Sequence, residues 1–271
     1  MFIQPMLASK PKEGLGVDSY SKNDWVMEEK FDGHRLIINV QNHEVTAWSR
    51  LGNLRVLPRH LIKKLKELPN VTVDGEAYVE GGTSTDVKAD EFQNDLRIVL
   101  FDLLKVDAHT AMFEPMENRR ALLTAAAQGV AGGAITIAEQ FDPSEAALHE
   151  LWSRGKEGAI LKRRNALYEA GRRAKSWIKL KKEEPCITRV VGFEAGSLGP
   201  HAVLVLHAEE DGTKVTVKTL DNATRAEIAK NPKSFIGRRL LISYQVRTKT
   251  SFRHPMFDRW MEEGETLSDA R

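Results

Sequence analysis

Between residues 25 and 103 the apolar positions fall in short runs rich in β-branched side chains, with polar residues at every second place and Asn, Asp or Gly between the runs. That rhythm predicts strands over residues 25–27, 35–40, 45–49, 72–79 and 97–103. Turn signals stand at Asn42-His43, Gly52-Asn53, Asp74-Gly75 and Gly81-Gly82. A helical rhythm replaces it in three places. Residues 58–68 repeat apolar side chains at Leu61, Ile62, Leu65 and Leu68, and residues 114–127 do so at Met116, Leu122 and Leu123. A third helix is expected over 144–154, capped by Ser144 or Asp142 with Pro143 in its first turn. Strand character returns at 158–163 and 176–180, and the Pro- and Gly-bearing lead-in, residues 5–22, is expected to lie extended on the surface.

The pattern changes beyond Glu183-Glu184-Pro185, where a proline following a charged run suits a hinge. Strands are predicted at 189–193, 202–208, 214–220 and 239–246, with a short helix over 223–230 capped by Asp221 or Asn222. The expected fold class is α+β: residues 1–184 form antiparallel sheets with flanking helices, and residues 185–271 a small all-β barrel of the oligonucleotide-binding (OB) type. An SH3-like barrel fits the second part almost as well.

The 271 residues are 41% hydrophobic, enough for real cores. No run approaches the ~20 apolar residues of a membrane span and no secretory layout opens the chain, so a cytosolic protein without membrane contact is expected. One cysteine, Cys186, excludes an internal disulfide and a thiolate metal cluster, and the histidines show no ligand spacing. The net charge of +2 hides an uneven distribution. Residues 162–182 carry nine Lys or Arg (Lys162, Arg163, Arg164, Arg172, Arg173 and Lys175 among them) against Glu169 alone; residues 237–255 carry Arg238, Arg239, Arg247, Lys249 and Arg253 with no acid. Such runs suit a polyanion, or else form a solvated basic face.

Candidate chemistry begins at Lys30-Phe31-Asp32-Gly33-His34-Arg35, where a lysine enters a buried strand with a carboxylate and an arginine beside it. A lysine attacks phosphorus only when neutral, and burial or a nearby cation lowers its pKa; Arg35 could supply the cation and also bind phosphate. A surface Lys-Asp-Arg cluster would read the same way. Asp74-Gly75-Glu76 sets two carboxylates in an apolar run, a costly arrangement unless they meet a ligand, a metal or donors. Glu157 stands at the mouth of a strand, where it could hold a ribose hydroxyl or a magnesium ion. In Ser176-Trp177-Ile178-Lys179-Leu180-Lys181 the alternation puts Trp177, Lys179 and Lys181 on one face, and two adjacent cations persist best with an anion between them.

Taken in order, these residues resemble the covalent nucleotidyltransferase superfamily and, within it, the ATP-dependent DNA ligases. Lys30, Asp32, Gly33 and Arg35 match the Lys-x-Asp-Gly-x-Arg motif; Ser49-Arg50, Asp74-Gly75-Glu76, Phe101-Asp102, Glu157-Gly158 with Lys162, and Lys179 with Lys181 are similar to the motifs that follow it. Ser251-Phe252-Arg253-His254-Pro255 resembles the arginine-x-proline segment of the ligase barrel, with His254 where a bulky aromatic is commoner. The likeness runs from Pro5-Met6-Leu7-Ala8 to Trp260.

The resemblance implies an adenylation domain followed by an OB-fold domain, and a three-step reaction: Lys30 takes AMP from ATP, AMP passes to the 5′-phosphate at a nick, and the 3′-hydroxyl displaces it. It implies that Lys179 and Lys181 hold the α-phosphate, that Glu76 and Arg35, with Arg50, serve the ribose and phosphates, and that Phe101 and Ile160 sandwich adenine with Glu28 at its edge. Asp32, Glu157 and Glu76 are the implied ligands of Mg²⁺, for which Mn²⁺ could substitute, and Arg253 the implied contact to pyrophosphate. The implied partner is nicked duplex DNA, gripped by a monomer through the two basic runs. The length leaves no room for further DNA-binding, nuclease or polymerase domains, which points to a minimal ligase. An RNA-directed relative, a capping guanylyltransferase or RNA ligase, uses the same lysine motif, and a noncatalytic nucleic-acid-binding barrel protein would need no Lys30.

Overall fold

In the computed structural model, which describes residues 2–12, 15–247 and 251–269, the chain forms two compact units, Met1–Lys181 and Lys182–Arg271. It is mixed α/β, mostly sheet with few helices. In the first unit the five-stranded sheet runs in the order Leu7–Ser9, Arg173–Lys181, Gly158–Arg163, Trp25–Lys30, Gln140–Phe141. The larger sheet runs Leu54–Arg55, Glu44–Ser49, His34–Gln41, Val71–Val79, Leu96–Val106, His109–Thr110, with Ile135–Ile137 paired parallel to Leu96–Val106.

Strand alternation distributes the cores. Leu36, Ile38 and Val40, with Val71, Val73, Ile98 and Leu100, pack under the helices Arg59–Leu65 and Met116–Ala126. On the smaller sheet Met27, Ala159, Leu161, Ile178 and Leu180 pack against Leu148 and Leu151 of the helix Glu145–Ser153. The intervening residues of both sheets share a further core, in which Ile37 and Leu104 meet Met6, Tyr168, Ala174 and Trp177. The unit is therefore layered helix, sheet, sheet, helix, and every second residue of the central strands points into the space between the sheets.

Several elements differ from the expectation. The lead-in is no surface strap: Met6 and Val17 are buried, and Leu7–Ser9 pairs parallel with Arg173–Lys181. Ser144 caps its helix, accepting from the Ala147 amide at 3.2 Å, so Pro143 precedes the helix instead of starting it. Asp221 caps Asn222–Lys230, accepting from the Thr224 amide at 2.8 Å. Pro185 lies inside the strand Glu184–Gly196, in a stretch that pairs only with Arg239–Tyr244; pairing to Gly199–Ala208 starts at Thr188, so the proline occupies a one-sided part of the sheet. The second unit is built on a five-stranded sheet, ordered Lys214–Val217, Gly199–Ala208, Glu184–Gly196, Arg239–Tyr244, Met256–Trp260. Among the described residues no helix is long and apolar enough to cross a membrane.

A buried ion pair ties the helix Met116–Ala126 to the larger sheet. Arg119, fully buried, reaches Asp102 through both ends of its fork at 2.7 and 2.8 Å and donates to the carbonyls of Glu114 and Ala166. Arg119→Ala leaves the Asp102 carboxylate buried and unpaired, and should lower unfolding free energy in a denaturant titration by about 3–5 kcal/mol. A loss below about 1 kcal/mol would contradict the assigned role.

Candidate active site

Beside the apolar core that the two sheets share, alternation also turns a set of mostly polar side chains into the space between them. Glu28 and Lys30, Ile160 and Lys162, and Trp177, Lys179 and Lys181 come from the smaller sheet. Arg35, Asp74, Glu76 and Phe101 come from the larger. Register keeps them in rows: Arg35 is opposite Glu76, Ile160 lies between Glu28 and Lys179, and Gly158 is opposite both Lys30 and Lys181. Close backbone packing sets the turn after Lys30, since a Cβ on Gly33 would stand 2.1 Å from the Ala77 carbonyl oxygen. Gly158 is held at φ +149°, with the Leu180 carbonyl 2.0 Å from any added Cβ.

Asp74 anchors the site. It has no exposure, accepts from Arg35 at 2.5 and 2.7 Å, and accepts the Tyr168 hydroxyl at 2.5 Å. Tyr168 in turn accepts the Met6 amide at 3.0 Å. Burial, and then Asp74, hold the Tyr168 hydroxyl well above its ordinary pKa, so it remains a donor. The guanidinium of Arg35 is thereby fixed 4.5 Å from the Phe101 ring centre.

Glu157 joins two lysines. One carboxylate oxygen accepts from Lys30 Nζ and the other lies 2.7 Å from Lys181 Nζ. Burial pushes the Lys179 ammonium below its usual pKa, and the cations Lys181, Arg173 and Lys30 push it further. Lys30, Lys179 and Lys181 border a cleft of about 670 Å³ that also takes in Arg35, Arg50 and Arg173; among the described residues lining it, Glu76 is the sole carboxylate. A cleft with that charge suits a chain of phosphates.

A smaller cavity of about 90 Å³ adjoins it, sharing Lys30, Arg35, Glu76 and Ile160, and is closed by Phe101, Trp177, Glu28 and Lys162. Lys162 is expected from its basic run to contact DNA, but it is 1% exposed. Its ammonium lies 2.6 Å from Glu28, donates to the Phe101 carbonyl at 3.0 Å, and sits 4.7 and 4.5 Å from the Phe101 and Trp177 ring centres. Glu28 also accepts from Gln140 at 2.9 Å. The buried pair fixes the Glu28 carboxylate beside the apolar surfaces of Phe101, Ile160 and Trp177 in this cavity.

The remaining expected residues divide. Asp32 and Glu157 line a third cavity with Lys30, whereas Glu76 lines the cationic cleft. Among the described residues no group of three His, Cys, Asp or Glu is close enough to hold a metal, so the expected trio of Asp32, Glu76 and Glu157 is not one ready-made ligand set. Arg163, Arg172, Arg173, Lys175 and Arg238 are exposed, and Arg164 is half-buried, donating to the Lys22 carbonyl. Arg239 is buried and forked onto Glu209 at 2.8 Å, which removes it from the expected DNA surface. Arg247 is paired to Glu210 and Asp211 at 2.6 and 2.5 Å, so its charge is already met. Lys249 and the side chain of Arg253 lie outside the described residues; the Arg253 backbone is in the strand Phe252–Arg253. Tyr168 and Gln140 were not legible as site residues: each is an ordinary residue in its local pattern, and only the tertiary fold brings it to Asp74 or Glu28.

Burial lifts the Glu76 carboxyl from 4.5 to about 7, against the pull of Arg35 and Lys30. The unfolded chain gives up this proton first as pH rises, while the folded chain keeps it. The contribution to stability is therefore full below pH 4.5, falls as pH rises, and is gone above about 7. Glu76→Gln should show a smaller loss of stability than the parent between about pH 5 and about pH 8 in denaturant titrations. Equal losses would mean that Glu76 is ionised throughout.

Residues 5–181 match the family model described as ATP dependent DNA ligase domain. The multifunctional non-homologous end joining DNA repair protein LigD of Mycobacterium tuberculosis (strain H37Rv) is 30% identical over 211 residues, 73% of this chain and 26% of that protein. DNA ligase 1 of Methanosarcina barkeri is 25% identical over 270 residues, 83% of this chain and 49% of that one. The chain thus spans between a quarter and a half of the length of these curated relatives. In fold, it matches a solved Lig E DNA ligase with a TM-score of 0.74 at 20% identity, over 96% of this chain and 100% of the other. The matched residues, 5–181, include Lys30, the Arg35–Asp74 clamp and the Lys179–Lys181 pair, and the chain belongs to the ATP-dependent DNA ligase family.

Proposed function

We propose that this protein seals nicks in duplex DNA with ATP, through an AMP held on Lys30 and then on the 5′-phosphate of the nick. One observation carries the reading: Lys30 stands where a cleft lined by Lys179, Lys181, Arg35 and Arg173 meets a slot lined by Phe101, Ile160 and Glu28. A nucleotide has those two halves, a polyanion and a flat apolar base with a polar edge. Phe101 and Ile160 flank the base, Glu28 accepts from its edge, and Glu76 with Arg35 serves the ribose and its phosphate. The Lys30 amine, freed of a proton, forms a bond to the α-phosphorus as the bond to the bridging oxygen breaks, and pyrophosphate carries away the electron pair.

Positioning and charge neutralisation are what in-line phosphoryl transfer requires of the protein. Lys179 and Lys181 neutralise the α-phosphate, and Glu157, hydrogen-bonded to Lys30, is placed to take the proton the amine sheds. Asp32 and Glu157, which line one cavity with Lys30, fit the family's Mg²⁺: magnesium takes one or two carboxylates and completes its shell with phosphate oxygens and water. When bound, it would offset charge on the phosphates. The Lys182–Arg271 unit is assigned an OB-type barrel, on the strength of its five-stranded sheet with the helix Asn222–Lys230. The exposed cations Arg163, Arg172, Arg173 and Lys175, with Arg238, are assigned to DNA phosphates.

After pyrophosphate treatment, the protein should take up label from α-labelled ATP, not GTP, and lose it as nicked DNA is sealed. Lys30→Ala should abolish uptake and leave nick binding within about twofold; uptake by that variant would move the nucleophile elsewhere, and uptake from GTP would favour a capping enzyme. Affinity for nicked DNA should fall steeply with salt, by ~10³-fold or more from 50 to 200 mM if six phosphates are met. A flat response would remove the basic residues from the interface.

A further inference from the structure

Glu28 lines the slot beside Phe101 and is 2% exposed, and two of the groups that face its carboxylate stand outside that lining. Gln140 is directly opposite Glu28 in the antiparallel pairing of their strands, so the two side chains share a face, and its amide donates to Glu28 Oε1 at 2.9 Å. Arg120 Nη1 lies 3.8 Å from the same oxygen. That nitrogen is shut away from water with no hydrogen-bond partner among the described residues, a costly state for a guanidinium unless a carboxylate offsets its charge. Glu28 does so, and the helix Met116–Ala126 keeps the arginine beside it. The preceding residue, Arg119, is forked onto Asp102, which follows Phe101 in its strand. Two adjacent residues of one helix thus brace the strand of the stacking ring and the carboxylate in the slot.

Among the described residues, the groups that meet the Glu28 carboxylate are all donors: Lys162 at Oε2, Gln140 and Arg120 at Oε1. A carboxylate has about four acceptor sites, so capacity remains for a ligand. Adenine presents a 6-amino group where guanine presents a carbonyl oxygen; the amine donates to a carboxylate and the oxygen opposes it. Guanine has donors of its own, N1–H and a 2-amino group, further round the ring. A carboxylate free to swing would meet those, so charge alone does not choose between the bases. Place does. An acceptor held at one point rejects the base that leaves it unpaired there. On the reading that Lys30 takes AMP from ATP with Glu28 at the base edge, we propose that Arg120 and Gln140 are positioning residues that select adenine over guanine by holding Glu28 at the 6-amino group.

The test measures covalent nucleotide uptake by the pyrophosphate-treated full chain from three α-labelled triphosphates: ATP, GTP and purine riboside triphosphate, which lacks the exocyclic amine. The parent should prefer ATP to both others. In Arg120→Met and in Gln140→Met, kcat/KM for ATP should fall about tenfold through KM, with uptake at saturating ATP within about twofold of the parent. The same variants should lose less than about twofold with purine riboside triphosphate, since the contact they support is missing there, and the preference for ATP over GTP should narrow about tenfold or more. Arg120→Lys should recover part of that preference. Because the two Met variants lie on a helix and on a strand, one that fails to fold leaves the other to decide. Equal losses with all three triphosphates would make the residues merely structural, and a loss confined to kcat would place them in the chemistry; either result overturns the proposal. A parent that takes label equally from ATP and GTP would overturn it and leave lysyl adenylation standing, whereas a parent that takes label from none would bring down the ligase reading as well.

Discussion

A carboxylate with no access to water, Asp74, is the constraint on which the site depends. A carboxylate in that position is tolerable only if cations and donors meet both of its oxygens, and Arg35 and Tyr168 do so with three bonds. The two partners come from opposite sides of the interlayer space: Arg35 from a strand of the larger sheet, Tyr168 from the segment joining two strands of the smaller. Satisfying Asp74 therefore fixes the separation of the sheets as well as the angle of one arginine. Asp102 with Arg119 and Glu28 with Lys162 are two further buried pairs, the first joining a helix to the larger sheet and the second two strands of the smaller. None of the three pairs need add stability over an apolar equivalent; what each contributes is a defined geometry, which a phosphate- and base-binding site requires.

Much of this was legible in the chain. Period-two alternation located the central strands and also said which residues share a face, so that Lys179 and Lys181 fall together with Trp177, and Ile178 with Leu180. The helix caps at Ser144 and Asp221 are local chemistry and could be read locally. Local reading failed where pairing is distant. Leu7–Ser9 is too short to announce itself and is a strand only because Arg173–Lys181 offers an edge. Lys162 and Arg239 look like their exposed neighbours in a basic run, and each is buried because a carboxylate from another strand or loop, Glu28 or Glu209, waits for it. Charge runs count residues; they do not say which of them face water.

The site's electrostatics are correspondingly uneven over a short distance. Cations outnumber acids in the lining of the open cleft, whereas the adjoining slot, which shares Lys30, Arg35 and Glu76 with it, adds the paired charges Glu28 and Lys162 with the rings of Phe101 and Trp177. The nucleotide proposed for this site would be oriented by that contrast before any specific hydrogen bond forms, its phosphates favoured in one compartment and its base in the other.

Glu157, held between Lys30 and Lys181, gives the site a form of memory. Under the proposed chemistry the amine of Lys30 becomes a phosphoramidate nitrogen and ceases to be a cation. Once Glu157 has passed the shed proton on to water, its carboxylate has one ammonium in place of two and faces the nucleotide with less of its charge offset. The charged and uncharged enzymes therefore differ in local field as well as in cargo. A second substrate arriving at the cleft meets a different potential in each, and the order of the steps is written into one shared side chain.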